Sequence, residues 1–123
     1  MILADTSVWI HFLRGDAGYE SMSELVREKR VVTHPWVIGE LLVGHLGGIR
    51  NRFLKDLEML PRLKEYPLEE IRRFVDLERL FGCGISWVDC QLLYAAILED
   101  CPLWSSDQPL NRVAAPYNIQ YRP

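Results

Sequence analysis

The chain has 123 residues and a net charge of −3, with 49% hydrophobic and 25% charged residues, which is ordinary for one globular domain. No apolar run approaches the roughly 18 residues of a membrane span, and the first residues lack the basic start and cleavage site of a signal peptide. We therefore expect a single domain over residues 1–123 that stays in the cytoplasm without binding a membrane. The overall charge does not by itself favour nucleic acid.

The first predicted element is a strand over residues 2–4, whose continuous apolar run is typical of a parallel sheet. Asp5 ends this run, and Thr6 or Ser7 can cap a helix over residues 8–13. Asp5 thus lies where a strand ends and a helix begins, the edge at which open α/β sheets bind ligands. A helix cap alone would also explain an aspartate here.

Helices and short strands alternate along the rest of the chain. Further helices are predicted over residues 19–29, from Pro35 to about Gly44, from about Ile49 to near Pro61, from Pro67 through Phe81, from Trp87 to about Glu99, and over 110–114. Further strands are predicted over residues 31–33, 63–66, 103–105 and 117–121. This alternation favours an α/β domain with a short, mainly parallel central sheet.

Glu40 is a carboxylate in an apolar context. Trp36, Val37 and Val43 lie at i−4, i−3 and i+3, so the spacing predicts that Glu40 lies within an apolar stripe of its helix. A buried carboxylate is costly unless it is paired or binds a metal. The simpler alternative is that Glu40 lies at the edge of the stripe and reaches water or an arginine.

Asp89 and Asp107 also lie at element ends. Ser86 and Asp89 have the spacing of a capping box, while the following turn of that helix is apolar. Asp107 follows a predicted strand as Asp5 does, although an aspartate is also common in a turn. Strand ends and the helix starts that follow them share one edge of a parallel sheet.

Four carboxylates at one edge would repel each other, and they coexist as anions only if a cation lies between them. Oxygen ligands without cysteine or histidine suit Mg²⁺ or Mn²⁺. A zinc site is not expected, because the cysteines and histidines show no CxxC pair and no zinc-like spacing. Those residues are Cys83, Cys90, Cys101, His11, His34 and His45.

Four segments resemble the PIN domains, and in particular the VapC-type toxins of bacterial and archaeal toxin–antitoxin pairs. They are residues 5–10 (DTSVWI), 40–44 (ELLVG), 85–93 (ISWVDCQLL) and 105–107 (SSD). The resemblance implies a metal-dependent endoribonuclease with a three-layer α/β/α fold. It also implies Mg²⁺ or Mn²⁺ as cofactor, an RNA substrate, a VapB-like antitoxin and a homodimer.

The resemblance assigns roles residue by residue. It implies that four acids are catalytic and bind metal, with the first and third as the preferred direct ligands: Asp5, Glu40, Asp89 and Asp107. It implies three supporting hydroxyls, those of Thr6, Ser7 and Ser105. An antitoxin segment is expected in an apolar groove, with candidate lining residues Trp9, Phe12, Trp36 and Leu42.

The expected chemistry is phosphodiester hydrolysis by water activated on a divalent ion. Two aspartate-based alternatives fit less well: a receiver domain needs a late lysine, whereas none follows Lys64, and an aspartyl phosphatase usually has aspartate where Ser7 stands. A catalytically silent PIN-like binding module is the remaining alternative. Scattered basic residues are either phosphate contacts or solvated surface: Arg14, Arg27, Lys29, Arg30, Arg50, Arg52 and Lys55.

Overall fold

A three-stranded parallel sheet forms the centre of the computed structural model, which describes all 123 residues. The first strand, β1 (Ile2–Ala4), lies between β2 (Val31–Val32) and β3 (Leu103–Trp104). Leu3 is the partner of Val32 on one side and of Leu103 on the other. Every strand residue is buried, which accounts for the uninterrupted apolar runs in the sequence.

Seven α-helices surround the sheet and confirm the three-layer α/β/α fold. They are α1 (Thr6–Leu13), α2 (Ser21–Arg27), α3 (Pro35–Val43), α4 (Arg50–Glu58), α5 (Leu68–Glu78), α6 (Trp87–Leu98) and α7 (Gln108–Ala114). Two single 3₁₀ turns cover Gly47–Ile49 and Ala115–Tyr117. None of the helices combines the length and apolar composition that a membrane crossing requires.

One continuous core of 26 buried residues joins the sheet to the helices. The most deeply embedded helix is α6, in which Cys90, Gln91, Leu92 and Leu93 are consecutive buried residues. Since a helix that is buried over consecutive positions has neighbours on several sides, α6 is held firmly. The acid in its first turn, Asp89, is therefore part of a helix that is packed into the core.

Two predicted strands, over residues 63–66 and 117–121, are wrong. The first is reduced to a bridge between Thr33 and Arg62, and the second to a bridge between Leu103 and Gln120. Beside the first segment, Thr33 donates to the carbonyl of Pro61 at 2.8 Å and Leu63 donates to the carbonyl of Thr33 at 2.9 Å, and the pairing goes no further. The second segment begins inside the 3₁₀ turn Ala115–Tyr117 and continues through the left-handed Asn118, with φ of 56°, so its first residues are not extended.

Helix ends differ from the prediction where the backbone turns left-handed. The second helix ends at Arg27 rather than residue 29, and Lys29 has φ of 60°. The fifth helix ends at Glu78 rather than Phe81, because Arg79 takes φ of 55°. A left-handed residue ends the helical hydrogen-bond pattern, which explains the early stops.

Candidate active site

Asp5 connects the sheet to the first helix. Its N–H donates to the carbonyl of Trp104 at 3.0 Å, which continues the pairing of β1 with β3. Its Oδ1 accepts from the N–H of Val8 at 3.2 Å, so the side chain also caps α1. Asp5 is only 5% exposed. Strand pairing and the cap together place a buried carboxylate at the carboxyl edge of the central strand.

Two serine hydroxyls hold this carboxylate from opposite sides. Ser7 donates to Oδ1 at 2.5 Å, and Ser105 donates to Oδ2. Both hydroxyl oxygens also accept from the loop after β3: Ser7 Oγ from the N–H of Ser106 at 3.1 Å, and Ser105 Oγ from the N–H of Asp107 at 3.0 Å. The two supporting hydroxyls therefore tie the segment 105–107 to Asp5.

Burial raises the pKa of the Asp5 carboxyl above its usual value. Hydrogen bonds from Ser105, Ser7 and Val8 oppose the rise in pKa, and the negative charge of Asp89 adds to it. No positive side chain compensates, since the four ion pairs of the chain all join other residues. A cation beside Asp5 would favour its charged form.

Glu40 is exposed, so the prediction that it lies within an apolar stripe is wrong. The buried face of α3 consists of Val37, Ile38 and Leu41, whereas Val43 is 86% exposed. Glu40 Oε1 accepts a hydrogen bond from Thr6 Oγ1 at 2.5 Å. Since Thr6 follows Asp5 directly, this bond connects Glu40 to the same edge of the sheet.

Asp89 and Asp107 both cap helices. Asp89 Oδ2 accepts from the N–H of Ser86 at 2.9 Å, and Ser86 Oγ accepts from the N–H of Asp89 at 3.1 Å, which confirms the capping box. Asp107 Oδ2 accepts from the N–H of Leu110 at 3.0 Å. Each carboxylate keeps further lone pairs, so capping leaves both able to bind other ligands.

The structure joins the predicted site residues to different degrees. Asp5, Ser7, Ser105 and the amide of Asp107 form one hydrogen-bonded network, Glu40 is connected to it through Thr6, and Asp89 acts on Asp5 through its charge. No three histidine, cysteine, aspartate or glutamate side chains lie close enough together to hold an ion directly. The four acids are therefore not a preformed cage.

The chemistry of the donor atoms nonetheless suits a hard divalent ion. In Asp5, Oδ1 accepts two hydrogen bonds and Oδ2 accepts one, and a carboxylate has about four lone-pair sites. One site therefore remains on Oδ2. The surrounding donors are carboxylates and hydroxyls, which suit Mg²⁺ or Mn²⁺ better than a softer metal.

Sequence analysis missed one residue that supports this network. Asn111 Nδ2 donates to the carbonyl of Ser105 at 2.9 Å and so holds the residue whose hydroxyl binds Asp5. The available signal was its position one helical turn after Asp107, on the same face of α7 as that cap.

An apolar groove of about 300 Å³ lies between α1, α2 and α4. Trp9 and Phe12 line this groove, whereas Trp36 lines separate pockets beside Glu65 and Leu42 lies outside the groove. As antitoxin contacts, all four residues stay predictions. The other lining residues are Ser23, Val26, Phe53, Asp56, Leu57 and Leu60.

Comparison with known proteins places this geometry in a family context. The PIN domain family profile matches residues 2–116. Ribonuclease VapC32 of Mycobacterium tuberculosis, from strains CDC 1551 / Oshkosh and H37Rv, is 38% identical over 119 residues, covering 94% of this chain and 91% of the relative. The crystal structure of PAE2754 from Pyrobaculum aerophilum has a TM-score of 0.62 at 16% identity, covering 97% of this chain and 96% of that chain. Identity that low supports the fold alone.

Proposed function

Because this chain belongs to the PIN domain family and is VapC-like over most of its length, we propose that it is a metal-dependent endoribonuclease, the toxin of a type II toxin–antitoxin pair. The observation that carries the proposal is the environment of Asp5. This carboxylate is buried at the end of the central strand, is held by two hydroxyls, and has no basic partner. A buried carboxylate without a counter-charge is costly unless a cation binds it.

The four acids would hold the ion in two ways. Asp5 and Asp89 are proposed as direct ligands of Mg²⁺ or Mn²⁺, and Glu40 and Asp107 as residues that hold bound waters or a second ion. When bound, such an ion polarises a phosphoryl oxygen and lowers the pKa of the water that attacks phosphorus. The protein's cytoplasmic location, also proposed, would give it access to RNA.

The side chains of the site have positioning roles. Ser7 and Ser105 fix both oxygens of Asp5, which keeps the remaining lone pair of Oδ2 in one direction. Thr6 restrains the exposed carboxylate of Glu40. No histidine, lysine or arginine contacts the four acids through a hydrogen bond or ion pair. A cation would therefore be needed for an RNA phosphate to lie directly against the four acids.

The apolar groove between α1, α2 and α4 is proposed as the binding site of a VapB-like antitoxin. Its lining is mainly apolar and aromatic, with Ser23 and Asp56 as the polar members. A helix that inserts apolar side chains into such a groove would bury them with a polar rim. We also propose a homodimer, because strongly exposed apolar side chains such as Val43 and Leu77 leave surface for a second copy.

Brief expression followed by mapping of new RNA ends in total cellular RNA tests the proposal. Wild-type protein should produce discrete new ends and arrest growth, and Asp89→Asn should produce neither. Glu58→Gln is the matched control, since Glu58 is exposed on α4 and its side chain forms no hydrogen bond or ion pair with any of the four acids, and it should behave as wild type. Unchanged RNA with wild-type protein would support the catalytically silent binding module instead.

A further inference from the structure

A polar pocket that the proposed chemistry does not use lies beside Ser105 and Ser106, which are hydrogen-bonded to Asp5 and Ser7. We propose that this base pocket holds one unpaired nucleobase of the RNA, next to the phosphate that is cut. The inference rests on the proposed nuclease function and adds a substrate feature to it, namely an unstacked base at a fixed distance from the site of cleavage. The pocket is defined by Tyr19, Ser106, Asn111, Gln120 and Tyr121.

The base pocket adjoins the catalytic network directly. It has a volume of about 430 Å³, within the range of small-molecule sites. Ser105 and Ser106 line it, and the same two residues bond to Asp5 and Ser7. A nucleotide whose phosphate lay at Asp5 would therefore have its base or its neighbour's base at the pocket.

Aromatic rings form one wall of the pocket. Tyr19 stacks on Trp104 with ring centroids 5.8 Å apart, and Tyr121 packs against Trp104 at 5.3 Å. His11 stacks on Tyr19 at 4.6 Å, and the N–H of Tyr121 donates to the carbonyl of Leu103 at 2.9 Å. Both faces of the Tyr19 ring are thus covered and Trp104 is buried, so these residues support the wall rather than bind a base. The partly exposed ring of Tyr121, held against Trp104, is the one on which a base can stack.

The polar groups of the pocket are only partly used. Asn111 uses its Nδ2 on the carbonyl of Ser105, which leaves its Oδ1 as a free acceptor. Gln120 Oε1 accepts from Arg122 at 3.3 Å, which leaves its Nε2 as a free donor. One free acceptor and one free donor match the mixed donor and acceptor edge of an unpaired base.

Charge distinguishes this pocket from the others. Its 12 lining residues include no aspartate or glutamate, and Arg122 is its one charged side chain. By contrast, the pocket beside Trp36 and Trp87 contains Glu65 and Glu70. In a protein of net charge −3, a pocket without acidic side chains repels phosphate less than the pocket that contains Glu65 and Glu70.

Binding of fluorescein-labelled single-stranded RNA in chelator tests the base pocket without any cleavage. The probes are strands of about 12 nucleotides, either intact or with one abasic ribose moved along the strand. For the wild type, one abasic position should weaken binding about tenfold. Gln120→Ala and Tyr121→Leu should weaken binding of the intact strand by a similar factor and remove the penalty at that position.

Matched controls separate the pocket from general effects. Asn51→Ala changes an exposed amide on α4, and Phe81→Leu changes an aromatic side chain that is 60% exposed, so both should keep the wild-type pattern. Gln120→Ala leaves the aromatic wall intact, which guards against a folding defect in Tyr121→Leu. Thermal melting of all variants checks this.

Pocket variants that bind intact and abasic strands as the wild type does, or that weaken both strands equally, overturn the proposal. Cleavage of the intact strand in Mg²⁺ separates the two ideas. If the wild type cleaves the intact strand but binds every abasic strand as tightly as the intact one, the base pocket alone is overturned. Absence of cleavage overturns the proposed nuclease function. In that case, an abasic penalty that is present in the wild type and lost in Gln120→Ala would still support a base-binding site.

Discussion

Replacing Asp5 with asparagine removes one buried negative charge and almost nothing else. The asparagine Oδ1 can still accept from the N–H of Val8, so the cap of α1 is kept. Its Nδ2 would face the hydroxyl oxygen of Ser105, which can accept a hydrogen bond. The lost contact is the donation from Ser105 to a charged oxygen. The perturbation is therefore mainly electrostatic.

The metal-free protein should become more stable. Burial raises the pKa of Asp5 from 3.8, so above that pH the folded state holds a proton that the unfolded state has released. Stability therefore falls as pH rises through the raised pKa, and the penalty is larger at neutral pH than at about pH 4. Asparagine removes this penalty but weakens the hydrogen bond to Ser105, so we expect the free energy of unfolding to rise by about 1 kcal/mol. For a chain of this length, that corresponds to about 4 °C in Tm.

Thermal melts of both proteins in chelator measure this gain, first at neutral pH and then at about pH 4, where the difference should shrink because Asp5 is more often protonated. Added Mg²⁺ should stabilise the wild type more than Asp5→Asn. The control is Asp76→Asn, since Asp76 forms an exposed pair with Arg72 at 3.7 Å. Loss of that pair should lower stability by less than about 0.5 kcal/mol.

Two results would refute this electrostatic description of Asp5. Equal melting temperatures at every pH would mean that Asp5 is only a helix cap, which asparagine replaces well. A loss of more than about 1 kcal/mol at neutral pH in chelator would mean that the carboxylate is stabilised in the metal-free protein by its two serines.

Further outcomes follow from the same structure. After chelation, Mg²⁺ or Mn²⁺ should restore RNA cleavage and Ca²⁺ should restore less, because its looser coordination positions a water poorly; equal rates with all three ions would contradict this. Leu60→Lys places a charge in the apolar groove, so calorimetry should show binding of the antitoxin encoded beside the gene weakened by about tenfold or more. The rate of RNA cleavage should not change. Burial lowers the pKa of His34 to about 4. Below about pH 6.5 the unfolded state therefore gains a proton that the folded state does not, and the free energy of unfolding should fall by about 2 kcal/mol between neutral pH and about pH 5. His34→Asn should keep the cap on the N–H of Trp36 and lose most of that pH dependence in urea titrations.

The sequence predicted the elements whose pattern is local. The strand over residues 2–4 is a short apolar run that ends directly before Asp5, and the strand expected over residues 103–105 lies shortly before Asp107. Both are present in the sheet, the second as Leu103–Trp104. The capping box at Ser86 is equally local and was confirmed. Strand ends in a parallel sheet share an edge, so the position of Asp5 also followed.

What failed depends on partners distant in the chain. Glu40 was assigned to an apolar stripe because several faces of α3 are apolar, and only the packing of Val37, Ile38 and Leu41 on the core selects the buried one. The strand expected over residues 63–66 has suitable residues, but only Arg62, just before it, forms a bridge, with Thr33 after β2.

The hydroxyl network around Asp5 was found only by resemblance, and for a similar reason. Ser105 lies 100 residues from Asp5 in sequence, and the two meet because β1 and β3 are neighbours in register. Asn111, which holds the carbonyl of Ser105, was missed altogether. Its position one helical turn after Asp107 was a local signal, but that spacing alone does not identify a contact with Ser105.

Whether the four acids form a metal-dependent ribonuclease site is tested most directly by one measurement, the initial rate of RNA cleavage by chelator-treated protein as Mg²⁺ is returned. The wild type should be inactive in chelator and regain activity with Mg²⁺, whereas Asp5→Asn should remain slower by several orders of magnitude at every Mg²⁺ concentration. Full-rate cleavage in chelator, or near-normal cleavage by Asp5→Asn, would contradict the metal site at Asp5 and the proposed function built on it.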